Sequence, residues 1–284
     1  MPILAAFLLW GISSHSGPFW LCWQSIGESS AARRYRSMAV QQEPSYRRNL
    51  GKVSYTYKDG GAQGEFMNAC RMAAWRNAIE KHSISTDCIL DVGCSYGSWA
   101  ENWRALGFKK LHGIEPNPEA VEKARLVFDE VEHGFLEEVV GSIEPSETVA
   151  ANGVIVHILE REAERRFLEE SASLVAAGGH LLFSVINCEY YVTPAGREPF
   201  DGPNSCTRTL DHHRDVAAEA GLEIIDQIGT FINPWCLAEF DFVANTEGIK
   251  AEGDLWAGWE HVSNAHRPHT LVPFAEALFV ARKS

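Results

Sequence analysis

From about residue 50 onward, apolar and polar positions follow two alternating patterns. Short apolar runs flanked by small or turn-forming residues read as buried strands. They occur at Ile89–Val92, Lys110–Glu115, within 147–158, at His180–Ile186, Leu222–Ile232 and Phe274–Arg282. Between them the apolar spacing is helical. Glu65–Lys81 carries a stripe of Phe66, Ala69, Cys70, Ala73, Ala74 and Ile79, and Phe66 and Trp75 read as core residues. Further helices are predicted from Trp99, over 119–127, over 159–176 ended by Ala177-Gly178-Gly179, and over 210–220 capped by Gly221. Strands alternating with helices predict an α/β domain. Two stretches resist this pattern. Residues 187–208 are rich in Pro, Gly and Tyr, and 233–273 is long for a connection, which predicts a functional loop or lid.

The first strand ends in Asp91, followed by Gly93-Cys94-Ser95-Tyr96-Gly97 and a helix start. Glycines there admit positive φ and bring a ligand close to bare backbone. Three chemistries compete for this loop. Gly-x-Ser-x-Gly matches the nucleophile elbow of an α/β hydrolase, with Ser95 as nucleophile. The dinucleotide fingerprint would require glycine at Ser95 and Ser98. The third is a nucleoside-cofactor loop.

The second strand ends in Glu115, about twenty residues past the first glycine, where a carboxylate can accept hydrogen bonds from ribose hydroxyls. Pro116-Asn117-Pro118 then starts a helix. A hydrolase has no use for such an acid. Asp91, Gly93, Cys94, Gly97, Glu115 and the order of helix, Gly178-Gly179 and apolar strand together resemble class I S-adenosylmethionine-dependent methyltransferases. Ser95 departs from that pattern at its middle glycine. The resemblance covers about 88–232 and the final strand.

The resemblance implies a doubly wound, mostly parallel seven-stranded sheet with an antiparallel last strand and helices on both faces. It implies S-adenosylmethionine as cofactor. Asp91, Gly93, Cys94, Ser95, Tyr96 and Gly97 would lie along its methionine part, and Glu115 with Pro116 and Asn117 would hold its ribose. The family often has an acid after the third strand for the adenine amino group. Here Gly134-Phe135-Leu136 stands instead, so Phe135 and Leu136 would pack on the base. Asn152, which would also bind the cofactor, and His157 follow the fourth strand, where methyl acceptors approach, and His157 is the candidate general base. The expected acceptor is a small molecule. Protein or tRNA methylation, and a non-catalytic cofactor-binding module, are the alternatives within the fold.

Composition narrows the partners. A net charge of −13 argues against an extended nucleic-acid surface. Seven cysteines without Cys-x-x-Cys suit a reducing, cytoplasmic compartment. His261, His266 and His269 lack metal-ligand spacing, so no metal is expected, and His212 and His213 read as solvated. No Asp, Glu, Lys or Arg precedes Glu28. A signal peptide would need a basic start, and Ser13 to Gly17 interrupt any membrane span. Residues 1–49 are therefore expected to be a disordered or targeting leader, with Met38 a candidate initiator, and 50–284 the domain with an insertion at 233–273.

Overall fold

A computed structural model describes residues 44–48, 50, 61–190, 205–232, 252–268, 271 and 274–283. A short helix α1 (Ser45–Arg48) precedes a long helix α2 (Gly61–His82). Then strand and helix alternate: β1 (Cys88–Val92), α3 (Ala100–Ala105), β2 (Lys110–Glu115), α4 (Pro118–Ala124), β3 (Glu130–His133), α5 (Leu136–Val139) and β4 (Ser146–Ala151). A 3-10 turn, Ile155–His157, leads into α6 (Arg161–Ser173) and β5 (Val175–Ile186). The chain continues through α7 (Leu210–Glu219), β6 (Leu222–Gly229), α8 (Glu252–His266) and β7 (Glu276–Lys283).

The strands form one seven-stranded sheet in the order β3-β2-β1-β4-β5-β7-β6. β1 runs parallel to β2 and β4, and β7 is antiparallel to β5 and β6. The expected doubly wound sheet with an antiparallel last strand is what the chain forms. Strand periodicity explains the two-sided core, since successive side chains point to opposite faces. Leu181, Phe183, Phe279 and Ala281 pack with Leu168 of α6 and Val216 of α7. Leu182, Leu278 and Val280 pack on the other face with Trp75 of α2 and Trp103 of α3. Phe66 and Trp75 are core residues, as expected.

Three elements differ from their sequence-based expectation. α6 ends at Ser173, and Gly178-Gly179 lie inside β5 rather than at a helix cap. A Cβ on Gly179 would stand 2.5 Å from the Glu147 carbonyl oxygen, so glycine lets two backbones approach. Part of the 233–273 stretch is the helix α8, which packs on α2. Its Trp259 joins Phe66, Phe231, Ile232 and Phe274 in a third apolar cluster. Arg267 follows α8 and donates to the carbonyls of Gly229 (2.7 Å), Thr230 (2.7 Å) and Cys70 (3.2 Å). Trp235 and His269 lie outside the described residues. Finally, Ser45–Arg48, on the leader side of the boundary expected at 49, is helical and packs on the domain.

Candidate active site

The order of connections reverses between β1 and β4. The chain winds outward from β1 to β3 and returns to β4 on the other side of β1, leaving a crevice beyond the strands' carboxyl ends. A pocket opens there. Its floor is Asp91, Val92, Gly93, Cys94, Ser95, Ser98 and Trp99. Ile114, Glu115, Pro116, Gly134, Phe135, Leu136 and Glu137 form one wall, and Asn152, Gly153, Val154, His157, Ile158 and Phe167 the other. Tyr46 and Leu50 complete it.

Backbone pairing shapes the loop after β1. Gly93 N and Cys94 N both donate to the Ile114 carbonyl, at 2.8 and 3.1 Å, which ties the loop to β2. Gly93 and Gly97 have φ of 79° and 75°. Added bulk at Gly93 would strike Val154 Cγ2 at 2.6 Å, so the glycine makes room for the β4 loop. Ser95 takes a φ of 54°, a left-handed conformation, where the family's pattern places glycine. Its Oγ is buried with no hydrogen-bond partner among the described residues. A nucleophilic serine needs a base within hydrogen-bond reach, so the hydrolase reading lacks its activating group.

Two buried acids face the pocket. Glu115 Oε2 accepts from Ser95 N and Oε1 from Asn117 N, both at 2.9 Å. One side chain thus holds the loop after β1 and the start of α4 together. Burial raises the Glu115 pKa, and the two backbone donors pull the other way. Asp91 Oδ2 accepts from Trp103 Nε1 at 2.8 Å. Burial pushes the Asp91 carboxyl up to about 7; the indole bond opposes this and the Glu115 charge adds to it.

Most of the sequence-selected residues converge on the pocket: Asp91, Gly93, Cys94, Ser95, Glu115, Pro116, Phe135, Leu136, Asn152 and His157 line it. Tyr96, Gly97 and Asn117 do not. Tyr96 lies under Lys123 Nζ, 4.5 Å from its ring centroid. A Cβ on Gly97 would meet Val127 Cγ2 at 2.5 Å, so that glycine serves packing beside α4. Asn117 caps α4, accepting from Glu119 N at 3.0 Å. Cys94 also has a spacer role, its Sγ seated where a Gly113 Cβ would be. Sequence reasoning missed Tyr46, Leu50 and Phe167, which reach the pocket through tertiary packing rather than by a position at a strand end, and Trp99 and Glu137, which directly follow the selected loops after β1 and β3.

His212 and His213 are not the solvated pair expected. Glu164 grips both, through His213 Nδ1 at 2.7 Å and His212 Nε2 at 3.1 Å, and His213 is buried. Among the described residues these three form a metal-type cluster. Arg161 Nη1, a donor only, contacts His212 Nδ1 at 3.2 Å, so that nitrogen accepts and Nε2–H points to Glu164. This is a hydrogen-bonded latch between α6 and α7. No described helix is long and apolar enough to cross a membrane.

A family model described as a methyltransferase domain matches residues 64–227. Among curated proteins, no sequence matches this chain. The fold is similar to that of an S-adenosylmethionine-dependent methyltransferase from Clostridium acetobutylicum (10% identity, TM-score 0.50), covering 90% of this chain and 98% of that one. It is also similar to a SAM-dependent methyltransferase from Leishmania major (14% identity, TM-score 0.54), covering 84% and 83%. The family match spans β1 to β6 and contains the loop, both buried acids and the crevice at the strand-order reversal, and the chain belongs to the class I S-adenosylmethionine-dependent methyltransferases.

Proposed function

We propose that the pocket binds S-adenosylmethionine and delivers its methyl group to a small-molecule acceptor. The observation that carries this reading is Glu115. It ends β2 on the pocket wall, 2% exposed, with both oxygens already oriented by backbone N–H groups. Each carboxylate oxygen can accept more than one hydrogen bond, so Glu115 retains capacity for a diol. The carboxylate of Glu115 on the wall, and that of Asp91 on the floor once a cationic ligand favours its ionised form, suit a ligand carrying a sulfonium and an ammonium. Phe135, Leu136 and Ile114 offer apolar surface to a flat base. These residues fit the cofactor.

The bound cofactor supplies an already activated methyl group. What remains for the chain is to align an acceptor and exclude water. Val154, Ile158 and Phe167 give the acceptor side an apolar character suited to a small organic substrate. His157 closes the turn after β4, and its imidazole is the group that would take a proton from a hydroxyl acceptor. The net charge of −13 also weighs against a nucleic-acid substrate.

Incubating the protein with methyl-labelled cofactor and a fractionated metabolite extract tests this. Label should enter a small-molecule fraction, and His157→Ala should slow transfer by about 10²–10⁴-fold, with cofactor affinity nearly unchanged. Label appearing instead in protein or tRNA would overturn the small-molecule reading. An unchanged rate and pH profile would return His157 to a packing role.

A further inference from the structure

The matched methyltransferase domain begins at residue 64, yet Tyr46 and Leu50 line its pocket. The segment is fastened on two sides. Ser45 is 1% exposed; its Oγ donates to Glu160 Oε2 at 2.6 Å and accepts from Leu159 N at 3.3 Å, which ties it to the loop before α6. On the opposite wall, Tyr46 Oη donates to Glu137 Oε1 at 2.9 Å. Arg47 Nε donates to the same oxygen at 2.8 Å, and Arg47 Nη2 to Glu138 Oε1 at 2.9 Å. Arg47 Cζ also stands 4.1 Å over the Phe135 ring, and the Tyr46 ring is 5.7 Å from it.

Phe135 occupies the place where the family often has an acid. Here that wall is aromatic, and residues from outside the matched domain brace it. The guanidinium fork bridges two carboxylates and covers a ring face, a geometry lysine cannot reproduce. We propose that residues 45–48 and Leu50 form a strap that completes the cofactor site. Tyr46 contacts the adenine end of the cofactor beside Phe135, and Arg47 is the positioning residue that holds Tyr46 and Phe135 in place through Glu137 and Glu138. This rests on the cofactor reading of the pocket given above.

The test uses the full chain and S-adenosylhomocysteine as probe, with affinity from calorimetry and release from stopped-flow tryptophan fluorescence. Tyr46→Ala and Arg47→Ala should each weaken binding by about tenfold, mostly through faster release, the scale of one lost charge-assisted hydrogen bond. Arg47→Lys should recover part of the loss. Raising NaCl to about 1 M, where the screening length is about 3 Å, should speed release from the unaltered protein but not from Arg47→Ala. If an alanine variant fails to fold, Tyr46→Phe, which loses only the Oη bond to Glu137, carries the affinity and release comparison. Release that is salt-independent, or variants that bind and release as the parent does, would overturn the strap while leaving the cofactor reading intact. A parent chain that binds no S-adenosylhomocysteine would overturn both.

Discussion

Ser95 combines two unfavourable features in one residue: a left-handed backbone and a buried hydroxyl with no partner among the described residues. Left-handed geometry costs a non-glycine residue about 1–2 kcal/mol, and an orphaned hydroxyl adds to that. Glycine's greater loss of chain entropy offsets about 0.5–1 kcal/mol. Ser95→Gly should therefore raise stability by about 1 kcal/mol in urea denaturation; a loss of stability would mean the hydroxyl has a partner in solution. Asp91 makes a second residue-level prediction. Its carboxyl titrates near 7 when folded, against about 4 in an unfolded chain. Between those values the folded state holds a proton that the unfolded state has lost, so stability from this group is full below about pH 4 and falls as pH rises towards 7. Asp91→Asn keeps an acceptor for Trp103 Nε1 and should flatten that fall. An identical slope in both proteins would show that Asp91 titrates normally. Asp91, Gly93 and Glu115 were legible in the sequence because strand ends and the spacing between them are one-dimensional features. The conformation of Ser95 was not, since a small polar residue in a loop does not announce its φ.

At the scale of elements, alternation made β1, β2, β5 and β7 readable and separated the helices. The misreadings have a common origin in glycine and in long-range packing. Gly178-Gly179 after a helical pattern reads as a cap, but the pair instead permits β5 to start early against the Glu147 backbone. His212 and His213 look solvated until α6 brings Glu164 between them. The 233–273 stretch reads as a loop, although Glu252–His266 packs on α2. Trp259 anchors that packing and is 4% exposed, away from the pocket-lining residues. Trp259→Ala should cost about 3–5 kcal/mol of stability by chemical denaturation, while the protein that remains folded keeps its cofactor affinity. A loss of affinity without a loss of stability would place Trp259 in the binding site instead of the core.

Over the whole molecule, the order of the sheet explains why residues far apart in sequence share one pocket. Winding outward to β3 and back to β4 brings Asp91, Glu115, Phe135 and His157 to a single crevice, and the tied N-terminal segment adds Tyr46 and Leu50. The sequence revealed the strand-end half of this site. The remainder depends on which distant segments pack across the opening, a tertiary property with no local signature. The central claim is that Glu115 makes this crevice a nucleoside-cofactor site. Isothermal calorimetry of S-adenosylhomocysteine against the parent chain and Glu115→Ala, with NAD as the control ligand, tests it directly. The account predicts binding to the parent, no binding of NAD, and a loss of about 1.5–3 kcal/mol in the folded variant, the range for a hydrogen bond to a charged group. Equal affinity in the two proteins, or binding of NAD without S-adenosylhomocysteine, would contradict it.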